Sequence, residues 1–80
     1  MPRYVILIAK AGNTFSAHVP DVPGVGATGA TVGAVTDTLR EALEFHLEGL
    51  QRAGESLPEP SVIASAVDVA APMPLSAAHL

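Results

Sequence analysis

The residue pattern of this chain predicts an α+β domain: a mostly antiparallel sheet with one helix packed on a face, in the order β-β-β-α-β. Three observations carry that prediction. Two short apolar runs flank a turn signal near the start, Tyr4–Ala9 and Thr14–Val19. A long stretch from Val32 keeps its apolar residues at helical spacing, and a β-branched run returns at Val62–Ala70.

Tyr4-Val5-Ile6-Leu7-Ile8-Ala9 is apolar on both alternating faces. At that length, and rich in β-branched residues, it reads as a central strand buried on both sides. Lys10-Ala11-Gly12-Asn13 is a turn signal. Thr14–Val19 then alternates, with Phe15, Ala17 and Val19 on one face and Thr14, Ser16 and His18 on the other. The two runs are expected to pair as an antiparallel hairpin.

The stretch "PDVPGVGATGAT", Pro20–Thr31, concentrates two prolines and three glycines. Pro20 and Pro23 have no backbone N–H and end the second strand. Pro23-Gly24 is a turn pair in which proline presets φ and glycine accepts positive φ. Pro20, Pro23 and Gly24 are therefore expected to be structural turn residues. Val25–Gly29 reads as a short third strand whose glycines suggest a bulge or a close backbone approach. A loop on a rigid scaffold is also a common place for a partner contact.

Thr31 has the chemistry of a helix N-cap. From Val32 a rotation of 100° per residue puts Val32, Val35, Leu39, Ala42, Leu43, His46, Leu50 and Ala53 on one face. Asp37, Arg40, Glu41, Glu44, Glu48 and Arg52 lie opposite, and Gly54 suits the position after the last turn. Glu55–Pro60 reads as a linker stiffened by two prolines. The domain is expected to occupy residues 1–71, with 72–80 a flexible tail.

Composition narrows the functional classes. With 80 residues, one domain is expected, and with no cysteine no disulfide can staple it. Hydrophobic residues make up 49 % and charged residues 15 %, which suggests that part of the surface is covered by a partner, a second copy included. A net charge of −4 does not supply the basic face that phosphate binding requires, and suits a basic protein partner better. No run approaches the ~20 apolar residues of a membrane span, so no membrane partner and a cytoplasmic location are expected.

Catalysis lacks a visible constellation. A metal-dependent nuclease needs clustered carboxylates anchored on core strands. The first strand has none, Asp68 is the only acid of the last, and the helix acids lie along the outer face. No two histidines share the spacing of a metal pair, and the glycines at 24, 26 and 29 complete neither phosphate-loop fingerprint. No catalytic residue, metal or cofactor is expected. His46 reads as a neutral core histidine, His18 as exposed on the polar strand face, and His79 as part of the tail. Phe45 lies about 120° from the centre of the apolar helix face, a position open to an interface or to packing under a loop.

These pieces in this order resemble the HicB-like antitoxins of the HicA–HicB toxin–antitoxin systems. The likeness runs from about Arg3 to Ser61: the Pro-Asp-Val-Pro-Gly turn, the Glu-Ala-Leu of the helix, Leu-Glu-Gly-Leu near its end, and Pro-Glu-Pro-Ser after it. The resemblance implies a fold like a trimmed ribonuclease H and a role in masking a small basic RNA-cleaving toxin. It also implies self-association into a homo-oligomer. Many members carry a C-terminal DNA-binding segment that is not seen here, so direct DNA binding is not expected. The partner-contact residues expected are His18, Asp21, Phe45 and Glu48. Two rival readings remain: a solitary structural or regulatory homo-oligomer without a toxin, and a residual metal-dependent nuclease.

Overall fold

The structure, a computed structural model, describes residues 2–71; the expected tail at 72–80, with His79, lies outside them. Its elements follow the order β1 (Leu7–Ala11), β2 (Thr14–His18), β3 (Gly26–Gly29) and α1 (Val32–Arg52). The three strands form one antiparallel sheet in the order β1-β2-β3. The α+β class and the β-β-β-α succession are those the sequence predicts.

The hairpin is closed by Gly12-Asn13, with Ala11 paired to Thr14. Gly12 has φ 61° and no described non-glycine residue, Asn13 included, has positive φ, which is the pattern of a type II′ turn with glycine first. The period of two decides the faces. Ile8 pairs with Ala17, which pairs with Ala27, and these point to the helix side. Leu7, His18 and Gly26 are aligned on the opposite, open side.

The Pro/Gly stretch after β2 proves to be core. Val22 N–H donates to the Val19 carbonyl (3.0 Å) and Val25 N–H to the Val22 carbonyl (3.4 Å), so two turns follow one another. Each has proline second, Pro20 and then Pro23, and Gly24 at φ 91° gives the second turn its type II form. Every third residue thus returns to the interior. Val19, Val22 and Val25 are buried, and with Val35, Leu39 and Ala17 they make up the buried core. A second glycine sets how closely the helix can sit. A Cβ on Gly29 would stand 2.9 Å from the Val35 nitrogen and 3.1 Å from its Cα. Only glycine lets the end of β3 and the start of α1 pack this closely.

The helix is capped at both ends. Thr31 is extended (φ −139°, ψ 163°) and its hydroxyl accepts from the Ala34 N–H at 3.0 Å. At the other end Glu55 N–H donates to the Leu50 carbonyl (2.9 Å) and Gly54 N–H to Gln51 (3.0 Å), with Gly54 at φ 74°. That is a Schellman motif around the expected glycine.

Three expectations are corrected. The first strand is not central and buried on both sides: β1 starts at Leu7 and, among the described residues, pairs with β2 alone and is an edge. Its outer face is open, and Leu7 is 48 % exposed. His46 is not a core histidine but exposed. The helix is about 31 Å long at 1.5 Å per residue, whereas five-residue strands span about 17 Å, so one end of the helix overhangs the sheet. Val35 and Leu39 are buried over the sheet, while Phe45, His46 and Gly49 in the later turns are exposed. Finally, no strand forms at 62–70. A strand needs a neighbour for its N–H and C=O groups, and among the described residues this segment has none.

Candidate binding surface

The connector after the helix is fastened at two points. The Tyr4 hydroxyl donates to the Pro58 carbonyl at 2.6 Å. Asp21, at the third position of the first valine turn, presents its carboxylate to residues 61 and 62. Its Oδ1 accepts from the Ser61 hydroxyl (2.6 Å), and its Oδ2 accepts from the backbone N–H groups of Ser61 (2.9 Å) and Val62 (3.0 Å). The Ser61 hydroxyl above all, then the Val62 and Ser61 amides, hold the Asp21 carboxyl below its ordinary value of 3.8. The ionised form is therefore the one that grips the connector.

The four expected contact residues fall in three places. His18 is exposed on the open face of the sheet, away from the helix, since its neighbours Ala17 and Val19 are buried. Asp21 is engaged with the chain's own residues 61 and 62. Phe45 and Glu48 are exposed one turn apart on the overhanging part of the helix. Phe45 is 79 % exposed, so it packs under neither the Pro/Gly loop nor the linker. Glu48 reaches Arg52 at 2.6 Å, and Asp37 reaches Arg40 at 3.1 Å; both pairs are in open solvent and contribute little. The structure does not gather these residues into one site.

Two features were missed in the sequence. One is the role of Ser61 as the partner of Asp21. The signal available was that the Pro-Asp-Val-Pro-Gly and Pro-Glu-Pro-Ser pieces each carry a hydrogen-bonding side chain in a stiff frame. The other is a groove of about 390 Å³ between the N-terminal residues and the helix, lined by Tyr4, Ile6, Leu39, Leu43 and Leu47 among others. The helix packs chiefly on β3 and β2, and the groove opens where residues 2–6, ahead of β1, run beside it.

Among the described residues, no three His, Asp or Glu side chains stand close enough to share a metal ion. No helix among them is long and apolar enough to cross a membrane. The arrangement offers surfaces for docking: an open sheet edge, an apolar groove beside it, and an overhanging helix end with an exposed aromatic ring.

The architecture is thus that of a small α+β module presenting contact surfaces. The chain belongs to the HicB-like antitoxin family of bacterial toxin–antitoxin systems, whose family model matches residues 4–72. It is also similar to an uncharacterized 14.9 kDa protein of the rep-hol intergenic region of Haemophilus phage HP1, at 37 % identity over 60 residues. That alignment covers 75 % of this chain and 45 % of the phage protein, so the chain spans less than half the length of this relative. No solved structure matches the chain.

Proposed function

We propose that this chain is a non-catalytic antitoxin that oligomerises and masks a small, basic, RNA-cleaving toxin in the cytoplasm. The observation that carries the reading is the family match over residues 4–72. Charge supports it. The net charge is −4, and Glu41, Glu44 and Glu48 are exposed along the helix, opposite in sign to a cationic RNA-binding surface. Masking such a surface takes complementarity and no chemistry. The described acids are spread over the helix (Asp37, Glu41, Glu44, Glu48), the turn at Asp21 and the segment after the helix (Glu55, Glu59, Asp68), and none stands on a strand, where metal-assisted RNA cleavage would need them together.

Phe45 and Glu48 are the toxin-facing pair in this reading, an aromatic anchor with a charge beside it. His18 and Asp21 are assigned to contacts around the sheet end, Asp21 through the connector it holds. The test is co-expression with the product of the adjacent reading frame. A stable complex that restores growth is expected, and Phe45→Ala with Glu48→Lys should weaken capture. A chain that neither co-purifies with that product nor relieves its toxicity would overturn the reading. The exposed apolar surface at Leu7, Val67 and Val69 favours a second reading in that event: a solitary homo-oligomer without a toxin.

A further inference from the structure

Residues 62–70, Val-Ile-Ala-Ser-Ala-Val-Asp-Val-Ala, are exposed throughout. Ile63 is 88 % exposed, Val67 82 % and Val69 80 %. In an extended chain these three share one face, while Val62, Ala64, Ala66, Asp68 and Ala70 share the other. Large apolar side chains at 63, 67 and 69, with Ser65 between the first two, fit a strand pattern, yet the segment pairs with no strand among the described residues. A strand-like apolar arm in water is a pairing site awaiting an edge.

The same chain carries one suitable edge. Among the described residues β1 pairs with β2 alone, so its other side is an edge with no described strand on it. At its N-terminal end, between the residues that lead into β1 and the helix, lies the groove of about 390 Å³ lined by Tyr4, Ile6, Leu39, Leu43 and Leu47. A strand laid along β1 would set alternate side chains over that groove. The opposite edge suits the arm less well. β3 has four residues, Gly-Ala-Thr-Gly, and no apolar side chain larger than alanine.

The arm is also held at its root. Tyr4 and Asp21 fix the connector at Pro58, Ser61 and Val62, and Pro58 and Pro60 stiffen it. Beyond Val62 the described residues of the arm, 63–71, are all exposed. Each copy therefore has one unpaired arm and one unpaired edge. Reciprocal exchange between two copies satisfies both and closes the assembly on a two-fold axis.

We propose that residues 62–70 add as a strand to the free β1 edge of a second copy of this chain, with Ile63, Val67 and Val69 over its groove, in a reciprocal dimer. This gives an interface to the oligomerisation in the functional reading above. It is tested on the chain alone, so its failure is distinguishable from failure of the antitoxin role.

The chain has no cysteine, which makes placed cysteines clean reporters. Ala9→Cys in β1 would be mixed in turn with Ala64→Cys, Ala66→Cys or Ala70→Cys, refolded together and oxidised. Light scattering would give the mass of the wild type and of Val67→Asp and Ile63→Ser, with circular dichroism as a check on folding. The expected result is a wild-type dimer, its loss in both arm variants with the spectrum retained, and a covalent link between two different copies for at least one pairing. A monomeric wild type, a dimer indifferent to both arm variants, or no inter-copy link at any pairing would overturn the proposal.

Discussion

Two valine-rich stretches without regular structure have opposite fates in this molecule. Val19–Val25 places three valines in the core, whereas Val62–Ala70 leaves Val67 and Val69 in solvent. Apolar content does not separate them. The first is folded by two proline turns that return every third side chain to one point. The second alternates at the period of a strand, and a strand buries nothing until it has a neighbour. A turn carries its own geometry, whereas half of a strand's geometry belongs to its partner.

The sharpest way to break that contrast is the same substitution in both stretches. Val22→Asp puts an unpaired charge into the core beside Leu39 and Val35, and is expected to cost about 4 kcal/mol or more. For a domain with a total stability of about 5 kcal/mol that amounts to unfolding, visible in a urea titration. Val67→Asp, compared at concentrations too low for two copies to pair, should leave the unfolding free energy within about 0.5 kcal/mol of wild type. Equal destabilisation by both would show that the arm is part of the core.

Gly29→Ala probes the close approach that seats the helix over the valine turns. Its Cβ would meet the Val35 backbone at 2.9 Å, which cannot yield as a side-chain tip could. A loss of about 1–3 kcal/mol is expected in the same titration. No loss would mean that the helix can shift its seat.

The root of the arm should respond to pH. The Asp21 carboxyl lies lower in the folded chain than its ordinary value, so its contribution is complete above that ordinary value and is lost as pH falls through the depressed one. The amide signals of Ser61 and Val62 should hold steady from neutral pH down to about 4 and move only below it. Asp21→Asn should release the same two amides at neutral pH. Signals unmoved by either would remove Asp21 from the role of anchor.

The smallest effect on folding is expected at Phe45. Its ring is 79 % exposed, so Phe45→Ala should change stability by less than about 0.5 kcal/mol while, in the proposed masking role, lowering affinity for the toxin. Intact capture by this variant would remove the ring from the interface.

Most local structure was legible in the sequence because it is set locally. The N-cap at Thr31, the glycine at 54, the hairpin turn at 12–13 and the proline turn at 23–24 each depend on a few adjacent residues. The placement of β1 was not legible, because an apolar run does not say whether a neighbour stands on both sides. His46 lies on the correct stripe of the helical wheel, but a wheel does not say where the sheet beneath it ends. Phe45 was legible as a residue off the core face. Of the candidate contact residues, Asp21 was singled out from the turn it occupies. Its bond to Ser61 spans 40 residues, and the two stiff proline frames that hold the pair do not by themselves say that they meet.

That span also bears on the order of assembly. The hairpin and the helix can each form from neighbouring residues, while the Asp21–Ser61 bond must close a loop of 40 residues and becomes favourable only once both sides are in place. During synthesis Ser61 and Val62 emerge after the sheet and helix residues, so the arm is given a direction only by a domain that has already folded. An incompletely folded chain would hold the same apolar arm with no fixed heading, and would be the less apt of the two to pair in register with a neighbour.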